Sequence, residues 1–301
     1  MPPWDDRERA TLVALLQERP QAASWPGVAA EIIEVGSARS VWDARHERTL
    51  FDTDAPAPIA EAARQIAGWR GAGLAVHTFR DELYPAQLRE IHQVPPVLFC
   101  RGTLRPGEPA VSVVGSRRAS DQSLDWASEV SATLVSAGIT VVSGLAAGVD
   151  TAAHTAALDA GGRTVAVLGT GINRVYPIAN RDLQERIACE GLVLSQFWPD
   201  APATKKSFPL RNATMSGYGR ATIVVEAGET SGARIQARVG IEHGRAVILT
   251  ETVVRANDWA RALQRRPGVY VVCGVDEVLD VVAALRPDLD DVLSGVLSVD
   301  G

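Results

Sequence analysis

Gly115, Ser116 and Arg117 follow directly on the β-branched run Val111–Val114 and precede a helical pattern. A strand that ends in a glycine turn brings backbone N–H groups and the positive end of the next helix to one edge of a sheet, where anionic ligands are stabilised. Arg117 can pair bidentately with a phosphate while Ser116 donates its hydroxyl. The arrangement recurs at Ser143-Gly144-Leu145-Ala146-Ala147-Gly148. There Ser143 is a hydroxyl donor at the strand end, and Gly144 and Gly148 let backbone approach a ligand. Gly169 and Gly171 flank Thr170 in a third strand-end loop, followed by Tyr176, Pro177 and Asn180. One glycine turn has a steric explanation as often as a functional one; two in succession favour a phosphate site.

Further along, the segment 201–220 carries Lys205, Lys206, Arg211 and Arg220 with no carboxylate among them. Within it Phe208, Arg211 and Asn212 put an aromatic beside cations, the combination that holds single strands by stacking and charge. Tyr176 offers a second aromatic face, with stacking on a base and fixing of its own loop equally open. Glu226 ends another apolar run. A carboxylate there can act as a general acid or base or bind a ribose hydroxyl. Ser231 and Gly232 open one more helix and add an anion-binding N-terminus. Asp150 and His154 stand four apart on one helical face. They fit a metal or acid–base pair, or a carboxylate complementing the helix start beside a half-buried, satisfied histidine. The second reading is favoured, and no metal or cofactor is expected. These motifs supply phosphate partners and π-faces but no ordered set of base-edge readers, so little sequence preference follows.

The elements that must position these groups alternate from Ala110 onward. Val111–Val114, Thr140–Val142, Thr164–Leu168, Leu192–Leu194, Ala221–Val225, Ala246–Leu249 and Val269–Val272 read as strands. Most are continuous apolar runs, as in strands covered on both faces, so the class is α/β with a mainly parallel sheet and helices on both sides. The helix over Asp121–Ala137 lines up Leu124, Ala127, Val130 and Leu134, and Val149–Ala160 is closed by Gly161 and Gly162. Before them, Arg7–Glu18, Val28–Val35 and Ile59–Trp69 have helical spacing. A small helical N-terminal domain over 1–73 is therefore expected, with Trp4, Trp25, Trp42 and Trp69 anchoring its core. The sheet domain spans 74–285, its first part, 74–109, being a lead-in, and an acidic tail covers 286–301.

A hydrophobic fraction of 46% and a charged fraction of 22% over 301 residues describe a globular chain. No apolar run approaches the roughly 20 residues that span a bilayer, and the start lacks the basic stretch of a secretory signal. A cytoplasmic location without membrane contact is expected. Cys100, Cys189 and Cys273 stand apart in apolar surroundings and read as core thiols. The net charge of −6 excludes a surface that grips nucleic acid everywhere; any such site is local.

Several motifs together resemble the DNA-processing protein A (DprA, or Smf) family. They are GSR at 115–117, SGLAAGVDTAAH at 143–154, AVLGTGINRVYPIANRDL at 166–183, FPLRN at 208–212 and VVEAGETSG at 224–232. The similarity extends upstream through YPAQL at 84–88 and PPVLFCRG at 95–102. The resemblance implies a Rossmann-like, non-enzymatic domain that binds single-stranded DNA and passes it to the recombinase RecA during natural transformation, in a homodimeric protein. It also implies that the FPLRN stretch lines the DNA groove. Two departures stand out. The arginine usual after Asn212 is Ala213, which removes a phosphate partner, and Ser-Leu-Ile-Thr is replaced by Ala233-Arg234-Ile235-Gln236, where Arg234 is a candidate substitute cation. Many members add a winged helix, for which the tail is too short. Two alternatives come from the wider superfamily. Its nucleotide N-glycosidic hydrolases carry a Pro-Gly-Gly signature that GRATIVVEAGETSG lacks; its nucleotide sensors bind a phosphorylated ligand without turnover.

Overall fold

The computed structural model describes residues 4–18, 24–46 and 56–285; the acidic tail falls outside them. Seven of its strands are the runs marked by the sequence: β3 (Ala110–Val114), β4 (Thr140–Ser143), β5 (Thr164–Val167), β6 (Leu192–Ser195), β7 (Ala221–Val224), β8 (Ala246–Thr250) and β9 (Val269–Val272). All pair in parallel. The lead-in segment adds two that the sequence reading left unassigned, β1 (Ala75–Thr78) and β2 (Val97–Gly102). β2 runs antiparallel to both β1 and β6. These two escape pattern reading because β1 is a four-residue edge strand ending in His77 and Thr78, and β2 follows Pro95 and Pro96, which read as loop.

Spatial order fixes where a ligand can bind. Among the described residues the sheet runs β1-β2-β6-β5-β4-β3-β7-β8-β9. The chain steps from β3 outward through β4, β5 and β6, then returns to the other side of β3 as β7. Val111 thus faces Val141 on one side, and Val113 faces Ile223 on the other. At such a reversal the loops at the carboxyl ends diverge to opposite faces and leave a crevice. The architecture is α/β and Rossmann-like, as expected.

Helices α5 (Asp121–Ser136), α6 (Val149–Asp159) and α12 (Val275–Ala284) cover one face. The Ser120 hydroxyl caps α5 by accepting from Ser123 N, and Ala127, Val130 and Leu134 bury its apolar stripe. On the opposite face lie α8 (Ser207–Tyr218) and α9 (Gly232–Glu242), which bury Met215, Tyr218, Ala233 and Ala237. α7 (Arg181–Glu190) packs on β2, β5, β6 and α6, and α10 (Glu251–Ala256) packs on β8 and β9 and on α11 (Asp258–Leu263).

The N-terminal region holds α1 (Asp6–Gln17), α2 (Trp25–Val35), α3 (Ala38–Arg45) and α4 (Ala57–Gly71). α3 was not foreseen. Its amino end is held by the buried Glu8 carboxylate, which accepts from Ser37 Oγ at 2.7 Å, Ala38 N at 2.7 Å and Arg39 Nε at 2.9 Å. The tryptophans correct their expected role. Trp42 alone is buried within the helices, while Trp25 and Trp69 pack on Trp198 at 4.8 and 5.7 Å and Trp69 meets Phe99 of β2 at 5.0 Å. Trp4 Nε1 donates to Thr78 Oγ1 at 2.7 Å. These rings are the seam between helices and sheet, where a large apolar face with one polar atom fits best.

The cysteines also divide. Cys100 is buried in β2 and its thiol is pushed up to about 12 by burial, whereas Cys189 and Cys273 are exposed rather than in the core. Both lie near element ends, at the last turn of α7 and just after β9. No helix among the described residues is long and apolar enough to cross a membrane.

Candidate functional site

Three loops at the carboxyl edge, together with the first turns of α8 and α9, enclose a groove of about 510 Å³ at the β3/β7 reversal. Gly115, Ser116 and Arg117 line it from the loop after β3; Phe208, Arg211 and Asn212 line it from α8; Ser231 and Gly232 line it from the start of α9. These candidates, scattered over 118 positions of sequence, converge because the reversal brings their loops together. Ser231 caps α9, its hydroxyl accepting from Ala233 N at 3.1 Å. No neighbouring atom lies within 4 Å of a Cβ placed on Gly232, so the helix start is open to the groove.

Arg211 is the centre of the arrangement. It is 6% exposed, and its Nη1 donates to Val167 O at 3.0 Å. Its guanidinium occupies the space a side chain at position 144 would need, where a Cβ would fall 1.5 Å from Nη1. Beneath it Asp150 is also buried, and its Oδ2 accepts from Gly144 N at 3.0 Å and Ala146 N at 3.3 Å. Burial lowers the Arg211 pKa, an effect opposed by the Asp150 charge and reinforced by Arg117. Burial likewise raises the Asp150 pKa, against the Arg211 charge and the two backbone N–H groups.

Several expected ligand contacts have another role. Ser143 is buried and donates to Val113 O at 2.7 Å. Gly144 makes room for Arg211, and Gly148, at φ +78°, packs against the first loop, where a Cβ would be 2.3 Å from Ser116 O. Gly169 gives way to the Phe208 ring, and Gly171 to the carbonyls of Trp198 and Pro199. None of these lines the groove. Glu226 is engaged as well: its Oε2 accepts from Ser120 N at 2.9 Å and Ser120 Oγ at 2.8 Å, which ties the β7 loop to the start of α5. Burial pushes its pKa up, but hydrogen bonds from Ser120, Ser123 and Ser116 bring it below the ordinary value.

At the rim, the Arg117 guanidinium lies 5.2 Å from the centre of the Phe208 ring, and the Tyr176 ring stands 5.7 Å from Phe208. Tyr176 is 47% exposed, so a cation and two aromatic faces form a ledge open to solvent. Lys205 and Lys206 are exposed in the turn before α8, outside the groove. Ala213 is buried on α8 and does not line it either, and Arg234 is tied to Glu229 O at 3.0 Å. The anticipated exchange of one cation for the other therefore does not occur in the groove.

His154 is fully buried, not half-buried. Its Nδ1 is 2.7 Å from Thr164 Oγ1, which itself donates to Val141 O at 2.8 Å; Nδ1 therefore carries the proton. Burial pushes its pKa to about 3, so the ring is neutral. Asp150 lines the groove with its Oδ2 engaged by Gly144 N and Ala146 N, whereas His154 is absent from the lining and bonds to Thr164. Among the described residues, no group of three or more His, Cys, Asp or Glu side chains is placed to hold a metal.

Sequence reasoning passed over Leu145, Asn180 and Gln236. Leu145 adopts φ +55°, which costs a residue with a Cβ roughly 1–2 kcal/mol. Its carbonyl accepts from Asn180 Nδ2 at 3.0 Å, and the same amide donates to Thr151 Oγ1 at 2.9 Å. A left-handed leucine has no sequence signal, although Asn180 stood within a recognised motif. Gln236 lines the groove from the second turn of α9.

Residues 75–281 match the family described as DNA recombination-mediator protein A. The chain belongs to the DNA recombination-mediator protein A family. Within it, DNA processing protein DprA of Streptococcus pneumoniae is 44% identical over 168 residues, covering 56% of this chain and 59% of that protein. Protein Smf of Synechocystis is 44% identical over 172 residues, covering 56% of this chain and 43% of its own length. The chain thus spans about half the length of these curated relatives. The S. pneumoniae DprA crystal structure superposes with a TM-score of 0.70 at 32% identity, covering 92% of this chain and 97% of that one. The Helicobacter pylori DNA processing protein A, which binds single-stranded DNA, shares the fold at a TM-score of 0.61 and 22% identity, covering 69% of this chain and 96% of that one.

The neutral histidine predicts how stability follows pH. The folded pKa of His154 lies below the unfolded value of about 6.5, so the unfolded chain takes up the proton first. Its contribution is complete above pH ~6.5 and falls as pH drops, by about 2 kcal/mol at pH 5. Urea unfolding at pH 7 and pH 5 should show this loss, reduced in His154→Leu; an identical loss in the variant would assign the effect to other groups.

Proposed function

We propose that this chain binds single-stranded DNA across the carboxyl edge of its sheet. The observation that carries the reading is the convergence of Arg117, Arg211 and the open N-terminus of α9 on one groove. Phosphate oxygens would lie between the Arg117 guanidinium and the backbone N–H groups at Gly232, and bases on the ledge of Phe208 and Tyr176. The exposed Lys205 and Lys206 extend the cationic surface beyond the groove. With a net charge of −6, the affinity would come from this one edge, and each phosphate neutralised adds to the salt dependence. Family membership and the single-stranded DNA binding of the H. pylori relative support this reading. On the same basis we propose that the protein acts in the cytoplasm as a homodimer that delivers the strand to RecA during DNA uptake.

Binding without catalysis is supported by the state of the carboxylates. Glu226 accepts two hydrogen bonds from Ser120, and Asp150, which lines the groove, has its Oδ2 engaged by Gly144 N and Ala146 N, so neither carboxylate is left without hydrogen-bond partners. The volume of about 510 Å³ favours a second reading, a sensor for one phosphorylated nucleoside. Competition of mononucleotides against a labelled strand separates the two.

Fluorescence anisotropy with labelled oligonucleotides should show binding that weakens steeply as salt rises; no binding even at low ionic strength would overturn the proposal. Arg117→Ala should weaken it by about 1.5–3 kcal/mol at unchanged melting temperature. Unchanged affinity would make the first loop a structural turn. Incubation with nucleoside monophosphates should release no free base, and turnover abolished by Glu226→Gln would make the chain a hydrolase.

A further inference from the structure

Trp198 joins the N-terminal helices to the loop that carries Tyr176. It stands just after β6, half-buried, with its ring 4.8 Å from Trp25 of α2, 5.7 Å from Trp69 of α4 and 6.0 Å from Phe99 of β2. Rings packed at such separations hold one another in few orientations. The backbone that this ring anchors lies against the loop after β5. A Cβ on Gly171 would fall 2.2 Å from Trp198 O and 2.3 Å from Pro199 O. Gly171 N donates to Ala201 O and Asn173 N to Pro199 O, both at 2.9 Å, while Asn173 Nδ2 donates to Asp200 Oδ1 and Arg174 Nε to Asp200 O, both at 3.1 Å. These contacts fix the near end of the loop, and Asn180 fixes its far end through Leu145 O. Tyr176 lies between the two anchors. The same loop sets Phe208, because Gly169 makes room for its ring and accepts at its carbonyl from Ser207 Oγ at 2.6 Å. Both rings of the ledge take their places from this loop, and the loop takes its place from the Trp198 turn.

We propose that Trp198 is a positioning residue for strand binding: clamped by α2, α4 and β2, it sets the rings of Tyr176 and Phe208 at the spacing on which bases stack. The inference rests on the single-stranded DNA reading above. Neither Trp198 nor any residue of the N-terminal helices lines the groove. Stacking is sensitive to small displacements, since a gap of about 0.5–1 Å forfeits a quarter to a half of the attraction between two atoms. A loosened Trp198 turn therefore costs the ledge its bases. The phosphate partners at Arg117 and Gly232 belong to the loop after β3 and to α9, and they keep their supports. The N-terminal helices in this way control the part of the site that holds bases and leave the part that holds backbone unchanged.

The test compares, with the full chain, an oligomer of deoxythymidine and an abasic oligomer of equal length, which offers the sugar–phosphate backbone without bases. The unmodified chain should bind the thymidine oligomer about 5- to 100-fold more tightly, the effect of one stacked base. Trp198→Ala should bring that ratio near one by weakening only the thymidine complex, and Trp198→Phe, which keeps an aromatic ring in the cluster, should restore most of it. If the alanine variant does not fold, as read by circular dichroism, Trp25→Leu removes one wall of the cluster from α2 and should give the same selective loss. A ratio unchanged in every folded variant would overturn the role of Trp198, and so would equal weakening of both oligomers, the mark of a general loss of structure. Equal affinity of the unmodified chain for the two oligomers would remove the stacking ledge, and this inference with it, while leaving backbone binding standing. No binding of either oligomer would overturn the strand-binding reading itself.

Discussion

Burial of the Arg211 guanidinium is the constraint on which the carboxyl edge depends. A cation taken out of water is tolerated only where hydrogen bonds and counter-charge surround it. Val167 O accepts from its Nη1, the missing side chain at Gly144 makes room for it, and Asp150 supplies a nearby negative charge, while its Nε finds no partner among the described residues. Because Arg211 belongs to α8, meeting these needs fixes the helix against the ends of β4 and β5. Phe208, one turn earlier, is thereby set on Gly169 and under Arg117. Any side chain at position 144 would displace the guanidinium and with it the wall of the groove.

The remaining loops are tied in the same manner, each to a neighbour. Glu226 holds Ser120, Gly148 accepts the close approach of Ser116, and Asn180 secures the left-handed turn at Leu145. Donors held in place before a ligand arrives lose little entropy on binding, so a shallow and mostly uncharged edge can still hold an anionic chain. The proposed strand binding is in this way compatible with a net charge of −6.

The parallel strands were legible because burial on both faces demands unbroken apolar runs such as Val111–Val114 and Ala246–Thr250. β1 and β2 were not, since one is too short and the other begins after two prolines. At the candidate site, Arg117, Arg211, Ser231 and Gly232, singled out by residue type, line one groove. Ser143, Gly144, Gly148, Gly169 and Gly171, read from the same motifs, lie outside the groove lining and contact neighbouring elements. A glycine that clears space for an arginine and a glycine that admits a phosphate look alike in sequence; only the Cβ distance at Gly144 tells them apart.

Amide hydrogen exchange on the full chain, with and without a single-stranded oligonucleotide, tests the central claim that the strand is held by backbone donors and arginines at the sheet reversal. The account predicts slowed exchange in the loops at 115–118 and 228–233 and at the start of α8, with the outer surfaces of α5 and α6 unchanged. Protection confined to α5 and α6, with those loops exchanging as in the free protein, would contradict it.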